Sequence, residues 1–190
     1  WSLIKNVKKT DIEEVVITAS GGPFLNLPIS KFKKIKPSTA IKHPNWKMGK
    51  KISIDSATMM NKVFEVIEAQ RIFNIELKKF KILVHPDSYV HSIIKFNNGI
   101  TKILVHDTNM KIPIFNTLYQ NSDKKLVSKK LNITKLNNLN FKNIDEKRFP
   151  IVNILNYVSK KPSLYETVIV SANDLLVDLF LDGKIKFLDI

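Results

Sequence analysis

Residues 14–24 read EVVITASGGPF. The β-branched run Glu14 to Ala19 reads as a buried strand, and it stops at a Ser-Gly-Gly turn. Gly21 and Gly22 leave the backbone N–H groups of that turn uncovered, so it suits an anion nest as well as an ordinary tight turn. Phe80 to His85 reads as a second strand, and Asn98-Gly99 between SIIKF and TKILV is a hairpin signal, so part of the sheet is antiparallel. Pro28 to Lys34 and Pro37 to Lys42 read as short helices opened by proline.

The stretch from His43 to Glu65, HPNWKMGKKISIDSATMMNKVFE, crowds many polar groups between two apolar halves of the chain. His43 to Lys51 lacks periodicity and reads as an exposed loop; its Trp46 and Met48 either tuck into the core or close over a ligand as a lid. Ile52 to Asp55 reads as a brief strand. Ser56 or Thr58 is expected to cap a helix running to about Phe73, packed through Met59, Val63, Val66, Ile67 and Ala69. Spacings of three and four bring Asn61, Lys62 and Glu65 onto one face of that helix, where Lys62 and Glu65 also suit a plain salt bridge. His85 and His91 read as hydrogen-bonded structural histidines ahead of metal ligands, because no carboxylate spacing accompanies them.

Pro113 to Tyr119 starts a helix, Asn121 to Lys147 reads as a long connection, and FPIVNILNYV and LYETVIVSANDLLVDLFL read as two helices, the second stopped by Gly183. The expectation is an α/β (α+β) fold: a mixed sheet with a lid loop over residues 1–120, a linker over 121–148, and the start of a separate helical unit over 149–190. The chain of 190 residues is 44% apolar, long enough for one sizeable core. No apolar run approaches the roughly 20 residues that span a bilayer, and the first residues lack a signal-peptide core, so no membrane segment is expected. With no Cys, thiolate chemistry is excluded. The net charge of +14 comes almost wholly from lysine, since Arg71 and Arg148 are the only arginines; scattered lysines without interleaved aromatics argue against a nucleic-acid surface and suit anionic small molecules.

TASGGPF (18–24), HPNWKMGKKISIDSATMMNKVFEVIEA (43–69), HPDSYVHS (85–92), NMKIPI (109–114), SAND (171–174) and IKFLDI (185–190) together resemble the catalytic domain of the deoxyxylulose phosphate reductoisomerase family. The resemblance covers nearly the whole chain in one order. It implies an enzyme that rearranges deoxyxylulose phosphate and reduces the resulting aldehyde with NADPH, giving methylerythritol phosphate for isoprenoid synthesis with Mg²⁺ or Mn²⁺. It also implies that Ser20, Ser56, Asn61 and Lys62 hold the substrate phosphate with His43 beside it. Glu65 becomes a catalytic metal ligand, Trp46 and Met48 lie on the lid, and Gly49 approaches NADPH. The expected partners are the phosphorylated sugar and phosphonate inhibitors; the full-length enzyme is expected to be a homodimer, in a plastid of the apicoplast type or otherwise the cytoplasm.

Those residue types suit the chemistry. A phosphate dianion takes several hydrogen-bond donors, a cation and a helix start, and a hard divalent ion takes carboxylate oxygen. The chain also departs from the family. It carries no GxGxxG turn, no acidic motif before the Ser-Gly-Gly turn, Val63 where a glycine is common, and Asp107-Thr108-Asn109 before Met110. The expectation is therefore part of a longer enzyme, inactive alone; the alternative is a phosphate-binding or interaction module that kept the fold.

Overall fold

The computed structural model describes every residue except Trp1, Lys47, Asn121 and Lys160. Among the described residues five strands form one sheet: β1 (Ile12–Ala19), β2 (Phe80–Val84), β3 (Val90–Phe96), β4 (Thr101–Val105) and β5 (Lys142–Asn143). Their order is β4-β3-β1-β2-β5. β1 runs parallel to β2, with Val15 opposite Phe80 and Ala19 opposite Val84, and antiparallel to β3. Neighbours on both edges and cover on the faces bury consecutive residues, which is why Val15, Val16, Thr18 and Ala19 are all buried. The hairpin between β3 and β4 turns at Gly99, whose φ of 85° a side chain would disfavour.

The helices are α1 (Pro37–Ala40), α2 (Lys50–Thr58), α3 (Met60–Phe73), α4 (Lys111–Leu118), α5 (Ile133–Asn137) and α6 (Leu164–Leu181). Ile52 to Asp55 is thus helical and not a strand, and Lys50 and Lys51, read as the end of the loop, open α2. The reason is tertiary. Ile54 and Ala57 are buried against Val177 and Phe180 of α6, and that packing outweighs the β preference of two isoleucines. The helix expected from about Thr58 to Phe73 is α3, starting at Met60; it is set off from α2 by Met59, which is fully buried with φ 77°. Neither serine nor threonine caps α3 as expected: its N-cap is Met59 with no side-chain cap, Ser56 and Thr58 both belong to α2, and Thr58 Oγ1 accepts from the Met60 N–H at 3.3 Å.

The stretch read as a connection, Asn121 to Lys147, holds α5 and β5. Two residues are too few to display alternation, and β5 is held by pairing with Leu83 and Val84. FPIVNILNYV winds as a 3-10 helix over Pro150–Tyr157. Residues 149–190, expected to open a separate helical unit, share cores with the rest. Phe149 and Val152 pack with Ala19, Met59 and Val84, and Phe180 and Phe187 pack with Phe24, Phe32 and Ile54. Among the described residues no helix is long and apolar enough to cross a membrane.

Phe180 is 1% exposed and meets Phe187 edge-on at 5.8 Å. Phe180→Ala is expected to destabilise the fold by about 3–5 kcal/mol in urea denaturation. A loss below about 1 kcal/mol would show that α6 is not part of the shared core.

Candidate functional site

β1 and β2 end level with one another, and the Ala19 carbonyl accepts from the His85 N–H at 2.7 Å, so Ser20 and the His85 turn leave the sheet at one edge. β3 starts and β4 ends at that same edge. Open α/β sheets offer ligands a crevice there, beyond the strand ends. Gly21 and Gly22 then turn through φ 86° and 67°. A Cβ on Gly22 would lie 2.8 Å from the Ser56 carbonyl oxygen and 2.9 Å from Ala57 Cα, so only glycine lets the turn touch α2. Ser20 and Ser56 come to line one cavity.

The left-handed turn at Met59 redirects the chain, so that the first turns of α3 face the same space. Lys62 Nζ donates to both Glu65 oxygens at 2.7 Å, and Asn61 Nδ2 donates to Glu65 Oε1 at 2.7 Å. The salt bridge considered from sequence is therefore present, and Asn61 joins it. The loop before α2 is irregular from His43 to Gly49, with Lys47 outside the described residues. Trp46 and Met48 are half-buried, between the core and lid alternatives. The Asn45 amide donates to the Pro86 carbonyl at 2.6 Å and to Ser88 Oγ at 2.9 Å, tying the loop to the β2–β3 turn.

One cavity of about 630 Å³ results, and every residue that the family resemblance assigned to the site lines it: Ser20, His43, Trp46, Met48, Gly49, Ser56, Asn61, Lys62 and Glu65. His91, His106 and Met110 line it as well. His106 and Met110 were not visible as site residues. The His106 position follows from the hairpin register, which pairs Val90 with Val105 and slips before Ser92, so that His91 stacks on His106 at 3.6 Å. The His106 carbonyl can only accept, so His91 Nε2, 2.9 Å away, carries the proton. His85 is fully buried; its Nδ1 donates to the Asn140 carbonyl at 2.8 Å and its ring stacks on Phe141, a structural role.

Burial, then the Lys62 charge, holds the His43 pKa below its ordinary value. Burial pushes His91 down to about 4, aided by the charges of His106, Lys62 and His85. Among the described residues no group of three or more His, Cys, Asp or Glu side chains could hold a metal ion. Glu65 is the one carboxylate on the cavity wall among them, and a single carboxylate does not close a site for a hard cation. Gly49 has an ordinary φ of −62° and open space where a Cβ would stand, so the chain's own packing does not demand glycine there.

Two family models match: the 1-deoxy-D-xylulose 5-phosphate reductoisomerase C-terminal domain over residues 1–73, and the DXP reductoisomerase C-terminal domain over residues 106–190. The chain is 64% identical to the 1-deoxy-D-xylulose 5-phosphate reductoisomerase of Pelagibacter ubique over all of its 190 residues, which is 49% of that relative. It is 43% identical to the enzyme of Persephonella marina over 95% of the chain and 48% of the relative. Among solved structures, the Zymomonas mobilis reductoisomerase in complex with NADPH superposes with a TM-score of 0.86 at 38% identity, covering 95% of this chain and 46% of that one. A reductoisomerase in complex with NADPH, fosmidomycin and magnesium superposes with a TM-score of 0.86 at 34% identity, covering 94% and 44%. The chain spans about half the length of the curated relatives it matches. These named relatives are bacterial, which gives the expected plastid location no support.

The depressed histidine has a consequence for stability. Between about pH 6.5 and 4 the unfolded chain binds a proton at residue 91 that the folded chain refuses, so stability is full above 6.5 and falls as pH drops through this window. The fall is of order 3 kcal/mol. Urea midpoints measured across that range should show it, and His91→Gln should flatten the slope, leaving a remainder from His43. An unchanged slope in the variant would place His91 in a solvated setting.

Proposed function

This chain belongs to the 1-deoxy-D-xylulose 5-phosphate reductoisomerase family, and we propose that it supplies the substrate-binding part of an NADPH- and divalent-metal-dependent reductoisomerase. The reaction is the conversion of 1-deoxy-D-xylulose 5-phosphate to 2-C-methyl-D-erythritol 4-phosphate. The observation that carries the reading is one cavity at the strand ends lined by two serine residues, an amide and an ammonium, the last two hydrogen-bonded to one carboxylate. Ser20, Ser56, Asn61 and Lys62 bind the phosphate: the hydroxyls and amide donate, the ammonium offsets charge, and the start of α3 adds its positive dipole end. The lysine does this in a partly dry setting, with its side chain 18% exposed, where a charge pair is stronger than in bulk water.

Glu65 offers one carboxylate toward a divalent cation, and the rest of the cation's shell lies beyond this residue set. Gly49, which the chain's own packing leaves free to be any residue, gives a bound NADPH room to approach the loop. When bound, NADPH supplies hydride and the cation polarises substrate oxygens. The chain's own residues orient the sugar by its phosphate, and Trp46 and Met48 exclude water once the loop closes. Fosmidomycin, present in a solved relative, is expected to take the phosphate's place with its phosphonate.

The test joins this chain to the half of the Pelagibacter relative that it does not cover and follows NADPH oxidation. Lys62→Ala is expected to raise KM for deoxyxylulose phosphate at least tenfold, because a charge-assisted contact is worth roughly 1.5–3 kcal/mol. Turnover with an unchanged KM would remove Lys62 from the phosphate site, and phosphate binding without any turnover would favour a binding module.

The lid is tested separately. With Trp1→Phe, Trp46 is the remaining tryptophan, and its emission should shift to the blue at saturating fosmidomycin as the ring leaves water. An emission spectrum that stays fixed would make Trp46 a static wall.

A further inference from the structure

We propose that His106 is a further binding residue of the cavity: its Nε2 lone pair accepts a hydrogen bond from a hydroxyl on the ligand's carbon chain and so sets which end of a sugar phosphate lies at β4. The inference rests on the phosphate reading above and extends it to the other end of the ligand. His106 follows β4 directly, and its backbone N–H continues the ladder by donating to the Tyr89 carbonyl at 3.1 Å. Its carbonyl accepts from His91 Nε2 at 2.9 Å, and the two rings stack at 3.6 Å with 12° between their planes. The ring is thus held by its backbone and by stacking before any ligand arrives.

The place of the ring's one proton decides what it offers. His106 Nδ1 lies 2.7 Å from the Asp107 carbonyl, which can only accept, so the neutral ring carries its proton on Nδ1. Nε2 then bears a lone pair, and it has no hydrogen-bond partner among the described residues. The residue is half-buried and lines the cavity, so the lone pair is available to whatever binds there. A phosphate dianion brings acceptors only and cannot serve it. A hydroxyl brings the proton that it lacks.

Position in the sheet says which part of the ligand this is. The strand order β4-β3-β1 puts two inter-strand steps, roughly 10 Å, between His106 and Ser20 just past the end of β1. A four-carbon chain ending in a phosphate, with bonds of about 1.5 Å, reaches across that span. With the anion at Ser20 and Lys62, the hydroxyls fall beside His106. Turned end for end, the ligand would set its anion against a lone pair and away from the ammonium. The cavity therefore favours a polyhydroxylated phosphate over a plain alkyl phosphate.

Calorimetry on the whole chain compares 2-C-methyl-D-erythritol 4-phosphate with n-butyl phosphate, which has the same four-carbon backbone and no hydroxyls. His106→Phe keeps a flat ring to stack on His91 and removes the lone pair, so affinity for the polyol phosphate should fall about three- to tenfold while that for n-butyl phosphate holds within about twofold. His106→Gln, whose amide oxygen reaches about as far as Nε2, should recover most of the loss. Imidazole ¹⁵N shifts at mildly alkaline pH should show the Nδ1–H tautomer for His106; an Nε2–H tautomer overturns the proposal. Equal losses for both phosphates in His106→Phe, or no loss for either, also overturn it and leave the phosphate reading intact. If neither phosphate binds the wild-type chain, or if Lys62→Ala binds n-butyl phosphate as well as the wild type does, the phosphate reading falls and the role of His106 with it.

Discussion

The close approach of Gly22 to the backbone of α2 is the constraint on which the site depends. With the Ser56 carbonyl 2.8 Å and Ala57 Cα 2.9 Å from where a Cβ would stand, any side chain at residue 22 would push the strand-end turn off the helix. That contact lets Ser20, just past the end of the central strand, and Ser56, in the last turn of α2, line one cavity. The turn at Met59 then does the second half of the work. A buried non-glycine residue at φ 77° is conformationally costly, and the packing of Met59 against Ala19, Val66 and Val84 overrides the preference. Without that turn a single straight helix would carry Asn61, Lys62 and Glu65 along the axis of α2. With it, they return to the cavity that Ser20 and Ser56 share.

The opposite side of α2 is held from the far end of the chain. Asp55 is 3% exposed, and a carboxylate so placed needs partners to offset its desolvation. Lys51 Nζ reaches it at 2.7 Å and the Asn173 amide at 2.9 Å, while Lys51 also meets Asp174 at 3.0 Å. Asn173 and Asp174 come from the SAND stretch on α6. The family resemblance of that stretch thus has a physical content in this chain: it closes the polar contact between α6 and the helix that carries Ser56. The neighbouring apolar contacts of Val177 and Phe180 supply area, and the buried polar pairs fix the register in which that area meets.

Much of this was legible in the sequence because it rests on local signals. A β-branched run ending in two glycines, a hairpin Asn-Gly and three- and four-residue spacing each act within a few residues, and they place β1, the β3–β4 hairpin and the face of α3 that bears Asn61, Lys62 and Glu65. What failed depends on distant partners. Ile52 to Asp55 has strand-like composition and is helical because α6 lies over it. β5 is two residues long and exists through its pairing with β2. His106 reaches the cavity through a register slip in the hairpin, which spacing within one strand does not encode. The site residues themselves were named by resemblance. The fold brings them to one cavity, and their roles there are what the proposed measurements address.

The Lys62–Glu65 pair shows why a helix salt bridge and a binding site are not competing descriptions. A fully exposed pair at this spacing stabilises a helix by only a few tenths of a kcal/mol, and this pair is partly sheltered from water. As an orienting device it is more useful. An ammonium has three N–H groups, and two suffice for the two Glu65 oxygens; the Asn61 amide has two, and one goes to Glu65. Each donor is therefore held at the cavity wall with a hydrogen to spare. A ligand anion meets groups whose rotamers are already restricted, which lowers the entropy lost on binding. The cavity thus presents hydrogens already pointed and not yet used, the condition under which an acceptor-only group such as phosphate is favoured over a sugar hydroxyl of similar size.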